Sequence, residues 1–181
     1  MPDSVFALDH KPYTFPAYIA LVIVIAAVCF GSLADHLFYT HDLDIAHDFE
    51  RLNADPSYFF SPQKASAGGR LVDELIFWGT YAAWGANPTI YHLLAIALHV
   101  LATLVLAHAY HRLGANRELS LLAGLLFLLN LTHIQVVQWI AVLEYSLVTI
   151  VAAVAVCRYQ AYAAAPSRGR LAAFYALAVT G

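Results

Sequence analysis

The chain has 181 residues, 61% of them hydrophobic and only 12% charged, and a net charge of −3. Soluble domains carry about 25% charged residues, so the composition argues against a water-soluble globule, and the small negative charge without a basic stripe argues against a nucleic-acid partner. Several long apolar runs point to an all-α fold: a polytopic transmembrane helix bundle forming a single domain over residues 1–181.

Residues 1–16 are a short polar leader. Pro16 suits the first turn of a helix, where its missing N–H costs nothing. The first predicted span, 17–34, carries no charge. Ser32-Leu33-Ala34 also has small residues where a signal-peptide cleavage site wants them. The two Asp and one Lys of the leader, and the length of the apolar run, favour a retained span. Residues 35–88 are predicted to form a long external loop with amphipathic helices lying on the membrane. Within it, Asp44–Asn53 places Ile45, Phe49 and Leu52 at helical spacing. Asp55-Pro56, Ser61-Pro62 and Gly68-Gly69 break the chain. Arg70–Trp84 reads as helix again, with Leu71, Leu75, Trp78 and Ala82 on one face. Trp78, Tyr81 and Trp84 suit a water–lipid boundary.

Asn87-Pro88 marks a helix start, and 89–112 is the second predicted span. Gly114-Ala115-Asn116 is a tight turn. A short third span over 119–133 and a fourth over 136–159 follow, then a loop with Pro166 and Gly169. The last run, 171–181, is too short to span and is expected to continue beyond Gly181, so the sequence reads as a fragment; an interfacial segment or a half-helix is the alternative. Cys29 and Cys157 lie inside apolar runs and read as small hydrophobes rather than a disulfide or metal clip. The arginines Arg112, Arg117, Arg168 and Arg170 occupy the turns after the second and fourth spans. The positive-inside rule then puts those turns and the N-terminus in the cytoplasm, and residues 35–88 and the link between the third and fourth spans outside. A multi-pass protein of a bacterial inner membrane, or of the endoplasmic reticulum in a eukaryote, follows.

Chemistry concentrates in HDLDIAHDFERLNADP, residues 41–56, where Asp42, Asp44, Asp48, Glu50 and Asp55 crowd beside an apolar span. A carboxylate partly shielded from water is a usable general base. Asp48 is the first candidate, between His47 and Phe49, and Asp44 lies one turn earlier on the same face. The pair could share a proton, a divalent cation or a substrate hydroxyl; helix capping and solvation are the plainer roles. In the second span His92, His99 and Thr103 share one stripe and are expected to face the bundle interior, bonding neighbouring helices. Haem ligation by His92 with His133 is the sharper alternative. Glu144 is expected inside the fourth span, where a carboxylate is paired or functional. Asn130-Leu131-Thr132 matches a glycosylation sequon at the membrane edge.

The order of these features resembles the N-terminal part of integral-membrane C-type (GT-C) glycosyltransferases, which include protein O-mannosyltransferases and bacterial lipid-linked sugar transferases. HDFERL resembles the acidic motif of their first external loop. GGRLVDELIFWGTYAAWGANPTIYHLLAIALHVLATLVL resembles the region leading into their next span. LLAGLLFLLNLTHIQVVQWIAVLEYSL resembles their third and fourth spans, where the family often reads P-x-H-x-E-x-V-x-W-I; His133, Val137, Trp139 and Ile140 keep that pattern. The family's acidic pair is His47-Asp48 here, Gln135 stands where Glu is usual, and Leu71 and Leu131 stand where Pro is usual. Gln binds a cation less strongly than Glu.

The resemblance implies an inverting transfer of a sugar from a polyprenyl-phosphate donor to an external acceptor. Asp48 would be the base with Asp44 in support, and His133, Gln135 and Trp139 would help build the donor pocket. Arg70 would face the donor phosphate. No cofactor or metal ligand is assigned; a divalent cation, magnesium or manganese, is the candidate. The implied partners are the lipid-linked donor and membrane lipids. A non-catalytic scaffold or accessory subunit of a larger membrane complex is the alternative, and a haem-binding subunit a third.

Overall fold

The computed structural model describes residues 15–38, 40–61, 71–130 and 132–180, and over them the chain is helical, with no strand. The helices are α1 (Phe15–Phe30), α2 (Thr40–Ala54), α3 (Leu71–Trp84), α4 (Pro88–Arg112), α5 (Arg117–Leu128), α6 (Thr132–Gln138), α7 (Glu144–Ala164) and α8 (Arg168–Thr180). Short 3-10 turns lie at Gly31–Asp35, Pro56–Phe60 and Ile140–Val142.

Three helices are long and apolar enough to cross a membrane: 16–35, 88–112 and 144–164. At about 1.5 Å per residue each reaches the roughly 30 Å of a bilayer's hydrocarbon core. The 12 residues of α5 reach only about 18 Å.

Helix α4 is the hub, packing on α1, α5, α6 and α7. Its start is fixed locally: the Asn87 side chain accepts from Thr89 N–H at 3.2 Å, and Pro88 occupies the first helical position. Its end is fixed by Gly114, whose φ of 95° turns the chain into α5. Asn116 then caps α5, its side chain accepting from Leu119 N–H at 2.9 Å.

The packing is small and polar inside, large and apolar outside. His99, Ala102, Thr103 and Ala107 of α4 are buried; His99 meets Leu128 and Thr103 and Ala107 meet Gly124 on α5, whose buried Ser120, Gly124 and Leu128 recur at four-residue spacing. On α1, Tyr18, Val22, Ala26 and Phe30 form the buried stripe, while Val28 is 80% exposed. Leu119, Leu122, Leu126 and Leu129 of α5 and Leu93 and Leu101 of α4 also face outward. Small interfaces with leucine exteriors are what helices packed in lipid use, because apolar area gains nothing there by leaving the tails. The order of contacts along the helices shows α1 antiparallel to α4, and α4 parallel to α7. Phe30 meets the His99 ring and Tyr18 reaches Leu121 of α5, while Gln160 of α7 reaches Arg112 of α4.

A second cluster closes one end of the bundle, the cap. Phe49 and Leu52 of α2 and Phe77 of α3 pack with Tyr91, Ala95, Ile140 and Leu143. Phe49 and Leu52 of the stripe expected to lay α2 on the membrane are therefore covered by protein: the Phe49 ring lies 6.2 Å from Phe77 and 5.7 Å from Tyr81. Helical periodicity reports that one face is buried and not what buries it. On α3 the buried residues are Asp73, Phe77 and Thr80, opposite the Leu71–Leu75–Trp78–Ala82 face, whose Leu75 points outward.

The fourth apolar run also differs from expectation. Instead of one helix over 136–159, the chain makes α6, an extended Trp139 (φ −105°, ψ 99°), the 140–142 turn and then α7 from Glu144. The third run is likewise divided, α5 ending at Leu128 before α6 begins. Glu144 thus occupies the first turn of α7, where the helix dipole favours a carboxylate, rather than the interior of a span.

Candidate functional site

The cap gathers the acidic patch. Helix α2 lies against α3, the 56–60 turn and the 140–142 turn, so the segments following the first and third apolar runs meet there. Asp48 is half-buried, and its Oδ1 accepts from the Tyr58 hydroxyl at 3.1 Å. Tyr58 is delivered by the 56–60 turn. Asp55 caps that turn: its Oδ1 accepts from Ser57 Oγ at 2.7 Å and from Ser57 N–H at 2.9 Å. These bonds, the hydroxyl's first, hold the Asp55 carboxyl below its ordinary 3.8. The Arg51 guanidinium lies 5.8 Å from the Tyr58 ring centroid, with Nη1 3.5 Å from the hydroxyl. Trp78 of α3 donates from Nε1 to Asn53 Oδ1 at 3.0 Å, tying α3 to the last turn of α2.

The other acids of the patch separate by role. Glu50 is exposed beside a still more exposed His47, 3.6 Å away. Asp42 is only 3% exposed, the most buried of the described acids in the patch, and Asp73 of α3 is 7% exposed. Neither stood out in the sequence. The signal was present for Asp42: the Ile45–Phe49–Leu52 stripe, continued one turn back, arrives at it. For Asp73 it was the stripe Asp73–Phe77–Thr80.

Gln135 and Trp139 line a cavity of about 460 Å³ between α4, α5, α6 and α7. His99, Phe127, Ser146 and Thr149 are among its other walls. Asp48 does not line it. The structure therefore brings Gln135 and Trp139 together at one cavity and puts Asp48 on the neighbouring α2. The side chains of Asp44 and His133, and the whole of Arg70, lie outside the described residues. Among the described residues no group of three or more His, Cys, Asp or Glu side chains is placed to hold a metal ion.

The buried histidines have a visible task. His99 Nε2 lies 3.3 Å from Leu128 O, the last carbonyl of α5, and His92 Nδ1 lies 3.4 Å from Val137 O near the end of α6. A carbonyl only accepts, so each of these ring nitrogens carries the proton. Helix ends leave four carbonyls without an internal partner, and inside an apolar bundle each must find a donor. Two imidazoles on α4, 0% and 1% exposed, supply donors where α5 and α6 stop short. His99 is further held by stacking on Phe127 at 5.1 Å and by the edge contact with Phe30 at 5.7 Å.

No protein-family model matches this chain, and neither a curated protein nor a solved structure matches it.

Proposed function

We propose that the cap is the acceptor side of an inverting glycosyltransferase of the C-type kind, this chain corresponding to the N-terminal part of such an enzyme. It would be a multi-pass membrane protein with a cytoplasmic N-terminus and the cap on the external face. Asp48 would take the proton of the acceptor hydroxyl. The acceptor oxygen then attacks the anomeric carbon, and the bond from that carbon to the phosphate oxygen breaks on the opposite face. Polyprenyl phosphate leaves with the electron pair.

The observation that carries this reading is the Tyr58–Asp48 hydrogen bond. A carboxylate held by one oxygen from a capped turn is oriented before substrate arrives and keeps its second oxygen for a proton. Arg51, beside the same hydroxyl, is a cation that could face the donor phosphate, the role the resemblance gives to Arg70. The meeting of α2 with the 140–142 turn supports bringing the Gln135–Trp139 cavity and Asp48 to one substrate. A scaffold subunit is the second reading. It is favoured by the structural employment of His92 and His99 and by the separation of Asp48 from the cavity lining.

The test is sugar transfer from labelled polyprenyl-phosphate hexoses and pentoses in membranes holding the protein. Asp48→Asn should lower transfer by about 10²–10⁴-fold, the usual contribution of a general base, while insertion and yield stay unchanged. Transfer equal to the native protein's would overturn the assignment, and no consumption of any donor would favour the scaffold.

A further inference from the structure

At the end of the bundle opposite the cap, α4 and α7 run side by side and leave a groove of about 510 Å³ between them. Its walls change character along their length. Leu101 and Leu104 of α4 and Val154 of α7 line one part; His108 and Arg112 of α4 and Arg158 of α7 line the other. On α4 these positions fall at i, i+3, i+7 and i+11, one helical stripe. Val154 and Arg158 are one turn apart on α7. The two stripes therefore switch from apolar to basic at the same level.

The charges at that level are not consumed within the fold. Both arginines are exposed, and among the described residues no carboxylate forms a salt bridge with either. Arg170, by contrast, is spent on structure: its Nη1 donates to Ala161 O and Ala165 O, each at 2.9 Å, closing the end of α7. Gln160 Nε2 does the same for Arg112 O at 3.0 Å. Carbonyls at these helix C-termini repel an anion, and the donors on Arg112 O, Ala161 O and Ala165 O offset part of that repulsion. A helix pair that is long and apolar enough to lie in a membrane, with an apolar groove ending in two arginines, matches a molecule that has an acyl chain and a phosphate head.

We infer that this groove binds one anionic phospholipid, its acyl chain along Leu101, Leu104 and Val154 and its phosphodiester between Arg112 and Arg158. Arginine suits a phosphodiester because its planar donors pair with two oxygens at once. The inference is independent of any sugar transfer at the cap.

The test uses the whole chain, purified in detergent, with native mass spectrometry after addition of phosphatidylglycerol or phosphatidylcholine. The native protein should retain phosphatidylglycerol at least tenfold more than phosphatidylcholine. Arg112→Gln with Arg158→Gln should abolish the preference, and Arg112→Lys with Arg158→Lys, which keep the charge and lose the paired donors, should keep part of it. Val154→Trp, which fills the apolar half and leaves both charges, should lower retention of phosphatidylglycerol, with the helical circular dichroism spectrum as the check on folding. Equal retention of the two lipids by the native protein would overturn the inference, as would an undiminished preference in the double Gln variant. Full displacement of the lipid by millimolar inorganic phosphate would also overturn it, by showing an anion site without an acyl-chain component.

Discussion

Gly124 is the point where three helices come closest, and replacing it gives the sharpest test of the packing. A Cβ built there would collide with the Tyr18 hydroxyl of α1 and sit 3.0 Å from Ala107 Cβ and 3.3 Å from Thr103 O, both on α4. The hydroxyl can swing away, but the two α4 atoms are fixed to the helix. Carbon atoms rest at about 3.5–4.0 Å, so α4 and α5 must part by about half an ångström. Overpacking of this kind costs about 1–3 kcal/mol. Alanine also recovers about 1 kcal/mol of helix propensity over glycine. The packing term wins, and Gly124→Ala should lose about 1 kcal/mol net, a fall of about 2–4 °C in melting temperature for a chain of this size. At Gly79, on the exposed side of α3, an added methyl would meet nothing within 4 Å. Only the propensity gain applies there, so Gly79→Ala should raise the melting temperature by about 1–4 °C. Thermal unfolding by circular dichroism in one detergent reads both signs. A rise for Gly124→Ala as large as for Gly79→Ala would refute the close approach of α1, α4 and α5.

Two further outcomes follow from hydrogen bonds in the structure. His99→Leu leaves Leu128 O buried without the imidazole donor and should cost about 1–3 kcal/mol, with His99→Gln, which keeps an N–H, losing less in the same melt. Asp55 has its folded-state pKa lowered below 3.8 by Ser57, so its support for the 56–60 turn is present above that value and disappears as pH falls through the lowered one. The amide resonance of Ser57 should titrate with a midpoint under 3.8 and stop titrating in Asp55→Asn; a midpoint above 3.8 would contradict the bonds to Ser57.

The parts of the fold written in local pattern were readable. The Asn87-Pro88 start, the Gly114 turn and the His92–His99–Thr103 stripe all depend on residues within a few positions of one another, and the structure has each of them. The break between α6 and α7 was not readable in the same way. Val136–Leu147 contains neither Gly nor Pro, and hydropathy runs through it with Gln138, Glu144 and Ser146 as interruptions. What stops the helix is tertiary: Ile140 and Leu143 are drawn into the cap core with Phe49, Phe77 and Tyr91, and burial overrides propensity. Glu144 was the local trace of that break, since a carboxylate is favourable in the first turn of a helix and costly in the middle of a span. For the candidate site, composition led to the acidic patch and left its members almost equivalent. They are separated by partners that a pattern cannot supply, Ser57 for Asp55, Tyr58 for Asp48 and burial for Asp42.

Those partners also link the groups in one direction. Asp55 shapes the turn, the turn presents Tyr58, and Tyr58 holds Asp48. A carboxylate meant only to keep a surface helix in water needs none of these steps, because water satisfies it at no ordering cost. The cap instead buries Phe49 and Leu52, just after Asp48, and anchors the end of α2 through Asn53 and Trp78. The position of one oxygen of Asp48 is thereby set by two helices and a turn. Such positioning supports the proposed role of Asp48 as the proton-accepting group. Tyr58→Phe is the substitution that separates the two roles, because it leaves the Asp48 charge and the packing of the ring in place and removes the hydroxyl's bond to the carboxylate together with its 3.5 Å contact to Arg51 Nη1.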